Sequence, residues 1–388
     1  MKYKTLKELC EVISDCPHST PKWTDHGKIV VRNNNIKNGR IDLSSPSYTD
    51  EENFRQRIKR VIPQPGDLII TREAPMGEVG MIPEGIECCL GQRMVLLRAN
   101  PQECDNYYLL YSIQSREVQH QISWSEGTGT TVSNLRIPHL EQLKIPYLPL
   151  KEQEKIVAIL KSLDGKIALN NKINDNLEQQ ARLTLNWWMG EHSREYKSLP
   201  LSDIATVNDS VYSPKEQWHF VNYLDTSSIT DGIITELQHI VPAIDKLPSR
   251  ARRKIVTNDI VFSTVRPNQH HFGIIKQPVS NMLVSTGFAV IRSKTKEICN
   301  ELIYLRLTED SFIESMQQIA EQSTSTFPSI KPSDLYQCEI PCPIDDKLTI
   351  LLENVFSIIA INQKENLGLS QLRDALLPKL MNGEIEIY

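Results

Sequence analysis

The sequence predicts a mixed α/β (α+β) protein built twice, as two β-rich domains each closed by one long helix. Three observations predict it. Short sequence words recur in the same order in the two halves of the chain. Brief apolar runs between turn signals occupy matching places in both halves. Each half then ends on an apolar seam stepping by alternating threes and fours.

The repeat comes first because it organises the rest. Tyr3-Lys4-Thr5-Leu6 returns as Tyr196-Lys197-Ser198-Leu199, and Arg60-Val61-Ile62-Pro63-Gln64-Pro65-Gly66-Asp67-Leu68-Ile69-Ile70 as Arg253-Lys254-Ile255-Val256-Thr257-Asn258-Asp259-Ile260-Val261-Phe262. Gly80-Met81-Ile82 returns as Gly273-Ile274-Ile275, and Met94-Val95-Leu96-Leu97-Arg98 as Phe288-Ala289-Val290-Ile291-Arg292. The segment 140–146 returns as 335–341. The offset drifts only from 193 positions (Tyr3 to Tyr196) to 195 (Ile145 to Ile340), the mark of a duplication. Within each copy, strands are expected at 58–70 and 94–97, with a tight turn at Pro65-Gly66-Asp67. Short helical patterns follow at 106–122 and 301–320.

The long helices carry the clearest pattern. Ile156, Leu160, Leu163, Ile167, Asn170, Asn174, Leu177 and Ala181 form one seam. Leu348, Leu351, Val355, Ile358, Asn362, Glu365, Leu369, Leu372 and Leu376 form the other. Both are interrupted mid-way by polar residues, which cost stability at a seam but fix register. Pro149 and Asp345-Asp346 suit the two helix starts, and Pro378 and Gly383 the final stop.

Composition bounds the class. The 388 residues, 40% hydrophobic and 23% charged, describe a folded chain, and no apolar run reaches the roughly 18 residues of a membrane helix. Met1-Lys2-Tyr3-Lys4 opens into charge rather than an apolar leader, so a cytoplasmic location is expected. Eight scattered cysteines show no metal-binding spacing and are expected as reduced thiols. A net charge of −5 argues against a protein uniformly coated for nucleic acid, though not against local basic patches.

Catalytic signatures are missing. The chain has no phosphate-cradling G-x-x-x-x-G-K-[S/T] loop, no G-x-S-x-G elbow and no Asn-Pro-Pro-aromatic motif. Gly127-Thr128-Gly129-Thr130 lacks dinucleotide-site spacing, and the adjacent His270 and His271 would point apart on a strand, a poor metal pair. No catalytic residue, metal ligand or cofactor is therefore assigned to this chain.

Basic residues recur instead. Arg55, Arg57, Lys59 and Arg60 match the place of Arg250, Arg252, Arg253 and Lys254, and the recurrence points to a phosphate-contacting edge. Beyond the following strands come groups that read base edges: Arg72 and Glu73 in one copy, Arg266, Asn268, Gln269, His270 and His271 in the other. The frames match while these loops differ, as in a duplicated reader with two targets. A third pair of segments, with Thr128, Thr130 and Arg136 in one copy and Thr324, Thr326 and Lys331 in the other, offers hydroxyls, amides and a closing cation to a phosphate.

With these features in place, the chain resembles the specificity subunit of type I restriction-modification enzymes. Pro149-Leu150-Lys151-Glu152-Gln153-Glu154-Lys155-Ile156 resembles that family's entry into its first central helix. Leu372-Arg373-Asp374-Ala375-Leu376-Leu377-Pro378-Lys379-Leu380-Met381-Asn382-Gly383-Glu384-Ile385 is similar to its closing segment. The second helix entry, Pro343-Ile344-Asp345-Asp346-Lys347, departs from the Glu-Gln wording. The resemblance implies two target-recognition domains (1–148 and 191–343) separated by conserved helices (149–190 and 344–388) that form an antiparallel coiled coil. It also implies a non-catalytic subunit that reads a bipartite, asymmetric site in double-stranded DNA. Two modification (methyltransferase) subunits and restriction (translocase-nuclease) subunits would be its partners, carrying S-adenosylmethionine, ATP and Mg. Two readings compete: a solitary methyltransferase or nuclease, opposed by the missing motifs, and a coiled-coil scaffold without a DNA role, opposed by the paired basic clusters.

Overall fold

The computed structural model describes residues 2–37, 39–124, 134–295, 297–323, 327–342 and 344–385. The chain divides into two compact units, Met1–Lys166 with Gly368–Tyr388, and Ile167–Leu367. The division falls within both long helices, Leu150–Glu191 and Asp346–Met381.

In the first unit the central sheet has six strands, in the order Cys10–Asp15, Met94–Ala99, Leu68–Thr71, Val79–Met81, Gly39–Ile41, Ile36–Lys37. The runs Leu68-Ile69-Ile70 and Met94-Val95-Leu96-Leu97 are apolar without a break because both faces are covered. Leu68, Ile70, Val95 and Leu97 face a core shared with helices Asn106–Gln114 and Arg116–Ser123. Ile69, Met94 and Leu96 face a second core with Val31, Cys88 and Leu90 of a four-stranded sheet. The second unit repeats this alternation. Ile260, Phe262, Ala289 and Ile291 enter one core, while Val261, Phe288 and Val290 enter another.

The matched sequence words prove to be one device in both units. Arg98 donates from Nε to Asp67 Oδ1 at 2.8 Å and from Nη2 to Oδ2 at 2.7 Å. Arg292 repeats the fork on Asp259 at 2.7 and 2.8 Å. The carboxylates also cap the preceding turns, accepting from Gln64 N–H at 2.8 Å and Val256 N–H at 2.7 Å. Gly66 (φ +87°) and Asn258 (φ +70°) supply the left-handed residue each turn requires. The expected strand over 58–70 is correspondingly shorter: only Leu68–Thr71 pairs, because the prolines and the turn withdraw the residues before it from any ladder.

Each unit also holds a stretch of both long helices, packed antiparallel. In the second unit Asn170 donates to Glu365 (2.7 Å) and Asn366 (2.9 Å), Asn366 donates to Asn171 (2.7 Å), and Asn362 donates to Asn174 (2.8 Å). One partner number rises as the other falls. In the first unit Arg373 reaches Asp164 at 2.8 Å, and Ile156 and Leu160 share a core with Leu377 and Leu380. On the first helix Ile156, Leu160, Asn170, Asn174 and Ala181 are buried and Leu163, Ile167 and Leu177 half-buried, as expected of the seam. On the second helix the expected frame is one residue early. Leu351, Ile358 and Leu372 are 39%, 45% and 47% exposed, and Val355 and Leu376 only half-buried. Leu348, Leu352, Phe356, Ile359, Ala360, Leu377, Leu380 and Met381 are the buried residues among those described. One residue is about 100° of helix rotation. The apolar doublets Leu351-Leu352, Ile358-Ile359 and Leu376-Leu377 let two frames look alike in sequence.

Candidate nucleic-acid interface

The two basic clusters occupy different elements. In the first unit Asp50 caps helix Glu51–Arg57 by accepting from Asn53 N–H at 2.8 Å, with two further acids in the first turn. In the second unit the cluster falls on Ala251–Lys254, the outermost strand of a four-stranded sheet. Matching places in the sequence are therefore not matching elements in the fold.

Two of these cations are committed elsewhere. Arg57 is 5% exposed and donates to the carbonyls of Leu90, Gly91 and Ser19, each at 3.0 Å, so it braces the fold and cannot meet a phosphate. Burial pulls its pKa down, with the nearby Cys89 and Cys16 opposing. Lys254 is paired with Glu216 at 2.6 Å above the Trp218 ring. Arg253 is half-buried, with its Nε lacking any hydrogen bond, and burial lowers its pKa. Lys59, Arg60 and Arg250 are exposed, as is Arg55, which pairs with Glu51 at 3.0 Å. Arg252 is half-buried, and its Nε donates to the Ser249 carbonyl at 3.3 Å.

The loops after the central strands are anchored by matching backbone bonds in the two units. Arg72 N–H donates to the Arg93 carbonyl and Thr264 N–H to the Gly287 carbonyl, both at 2.8 Å. Leu135 and Ile330 then donate back to the carbonyls of Arg72 and Thr264 at 3.0 and 2.9 Å. Ala74 (φ +46°) and Arg266 (φ +48°) each take a left-handed conformation immediately before a proline. Side chains on this shared frame differ completely. Arg72 is not a reader: it is held by Asp15 at 3.0 and 3.1 Å, the Leu135 carbonyl at 2.9 Å and Asn134 at 3.1 Å. Arg266 and Asn268 are exposed, and the Arg266 guanidinium lies 5.2 Å from the Phe327 ring centre. His270 Nδ1 lies 2.9 Å from Asp231, whereas His271 Nδ1 lies 2.7 Å from the Ile229 carbonyl, so the two rings are engaged separately.

The third pair of segments meets these loops through Leu135 and Ile330. Arg136 and Lys331 are exposed, each opening a short helical turn. Thr128, Thr130, Thr324 and Thr326 lie outside the described residues. One rim cation escaped the sequence reading altogether. Arg93, 58% exposed on its side chain, sits 3.2 Å from Glu73 and on a left-handed backbone (φ +65°). The repeat held the clue, since its counterpart is Gly287.

Comparison with known proteins agrees with this frame. Residues 1–179 match the model of the type I restriction modification DNA specificity domain. The chain is 22% identical to the putative type I restriction enzyme MjaX specificity subunit of Methanocaldococcus jannaschii, over 99% of this chain and 93% of that one. It is 26% identical to the MjaIX specificity subunit of the same organism, over 96% and 87%. Along nearly its whole length the chain is thus similar to type I restriction-modification specificity subunits. Among solved structures, the type I S subunit from M. genitalium shares its fold, with a TM-score of 0.52 and 18% identity over 98% of this chain and 95% of that one. Among the described residues no helix of this chain is long and apolar enough to cross a membrane.

Proposed function

We propose that the chain reads a bipartite, asymmetric site in double-stranded DNA, one part with each unit, and directs adenine methylation and restriction that partner subunits carry out. The observation that supports this best is the pair of rim loops: two matching pairs of backbone hydrogen bonds carrying different side chains. A frame kept twice with two different displays suits one chemistry aimed at two sequences. Of the two basic clusters, Lys59, Arg60, Arg250 and Arg252 would grip phosphates, with the exposed Arg136 and Lys331 beside them.

Two modification subunits, with restriction subunits joining them, would bring S-adenosylmethionine, ATP and Mg; this chain would supply none of the catalytic groups and work in the cytoplasm. The second long helix favours such docking. Within the second unit it presents Ile350, Leu351, Ile358 and Ile361 to solvent along one side, an apolar patch without a partner in that unit.

A mobility-shift titration of the full chain on duplex DNA tests the reading. Affinity should fall steeply between about 50 and 200 mM salt as phosphate contacts release counterions, and the chain alone should transfer no methyl group. Absence of DNA binding at low salt, or methyl transfer by the rigorously purified chain, would overturn it.

A further inference from the structure

We infer that Arg93 is the base-contacting arginine of the first unit and Glu73 its positioning residue; this deepens, and rests on, the reading of the chain as a DNA reader. The position is defined by the backbone. The Arg93 carbonyl accepts from Arg72 N–H as the Gly287 carbonyl accepts from Thr264 N–H, so the two residues are counterparts. Gly287 holds the matching place without a positive φ, whereas Arg93 is left-handed (φ +65°), a conformation unfavourable for a long side chain. The arginine is therefore kept against its backbone preference, and the frame does not explain it.

Its surroundings describe a presented fork. The Nε lies 3.2 Å from a Glu73 carboxylate oxygen, while neither Nη makes a hydrogen bond among the described residues. Glu73 is itself fixed, its other carboxylate oxygen accepting from Asn134 at 2.5 Å and its carbonyl from Asn33 at 2.6 Å. The guanidinium is thus aimed by a carboxylate behind it with its Nη edge open. An Nη pair is the fork that matches the O6 and N7 acceptors of guanine in the major groove.

The carboxylate also separates base from phosphate. Glu73 offsets the arginine's charge and would repel a phosphate brought to the same place, whereas a guanine edge is neutral. The second unit reaches the same end differently. Its exposed rim arginine on a left-handed backbone is Arg266 (φ +48°), braced by the Phe327 ring, and the counterpart of Glu73 there is Val265. Each copy displays one such arginine, from a different loop and with a different brace.

The test is selection of bound sites by the full chain from a pool of duplex DNA randomised in sequence, read by sequencing the bound fraction. The unmodified chain should select a two-part motif. Arg93→Ala should lower discrimination at one guanine of one part by roughly 10- to 100-fold, leaving the other part unchanged. Arg93→Lys, a point charge without a fork, should restore affinity but little of the discrimination. Glu73→Gln should loosen the same position to a smaller degree. Arg93→Gly, which suits this backbone, guards against a folding defect and should match the alanine variant with an unchanged urea midpoint. An Arg93→Ala chain that keeps wild-type discrimination in both parts overturns the inference. So does one that loses affinity uniformly with its motif intact, which would make Arg93 a phosphate contact. An unmodified chain that selects no sequence overturns the underlying reading as a whole.

Discussion

Asp259 is fully buried, and the fork it shares with Arg292 closes the turn at Asn258 as well as anchoring two strands. Asp67 and Arg98 do the same in the first unit. Removing Asp259 loses the fork and the Val256 cap, while Arg292 keeps Asp209 at 3.3 Å and some solvent, so the cost is about 1–3 kcal/mol. Asp259→Ala should therefore lower the unfolding free energy of the second unit by that order in a urea titration. A loss below about 1 kcal/mol would show the fork to be solvent-screened rather than structural. Glu178 tests the opposite sign. Burial pushes its carboxyl above the usual range, with Arg182 partly opposing and Asp231 and Asp175 adding to the rise. A carboxyl whose folded pKa is raised contributes stability below its unfolded pKa and loses it as pH climbs through the folded value. Glu178→Gln should thus stabilise the chain at pH 7 and make little difference near pH 4. Arg182 would keep its bonds to Thr308 Oγ1 and the Leu305 carbonyl. Equal midpoints at pH 7 would remove burial as the dominant cause.

At the scale of elements, the second long helix separates two apolar faces that the sequence alone superimposes. Leu352 is fully buried and Leu351 is 39% exposed, one residue apart. Leu352→Ala should cost about 2–5 kcal/mol through the cavity it leaves, and Leu351→Ala should stay within roughly 1 kcal/mol, both measured by urea unfolding. Equal costs would restore the seam expected from the heptads. The asparagines of both helices were legible as seam positions because polar residues at a fixed period stand out. What they bond to was not, since pairing depends on the direction of the partner helix. Gln153 shows the same limit. Its side chain, fully buried at the first helix entry, donates to the carbonyls of Glu103 and Leu148 and accepts from Asp105 N–H, all long-range or loop contacts. The repeat made the central strands and their acid–arginine words visible. It could not distinguish Arg57 as a brace from Arg60 as a surface cation, because burial of a single arginine leaves no period in the sequence. Nor could it show that Arg72 is held by Asp15, which is 57 positions away.

For the whole molecule, duplication implies that the two rims act independently on DNA. Arg93 meets Glu73, and Arg266 meets Phe327; the two arginines share no bonded partner. Substitutions without shared partners add in free energy to within about 0.5 kcal/mol. The losses in base discrimination from Arg93→Ala and Arg266→Ala should each fall in one part of the bound motif, by roughly 1–3 kcal/mol. In the double variant they should simply sum. Under the proposed reading the cations assigned to phosphates would behave otherwise, because a backbone charge carries no sequence information. Arg250→Ala together with Arg252→Ala should weaken binding to every sequence alike and reduce the slope of log affinity against log salt by roughly one for each phosphate no longer neutralised. Measuring both sets on the same DNA duplexes separates the two roles within one experiment. A double rim variant whose loss departs from the sum by more than about 1 kcal/mol would mean that one rim senses the other. The chain would then read its site as a single coupled surface rather than as two copies of one device.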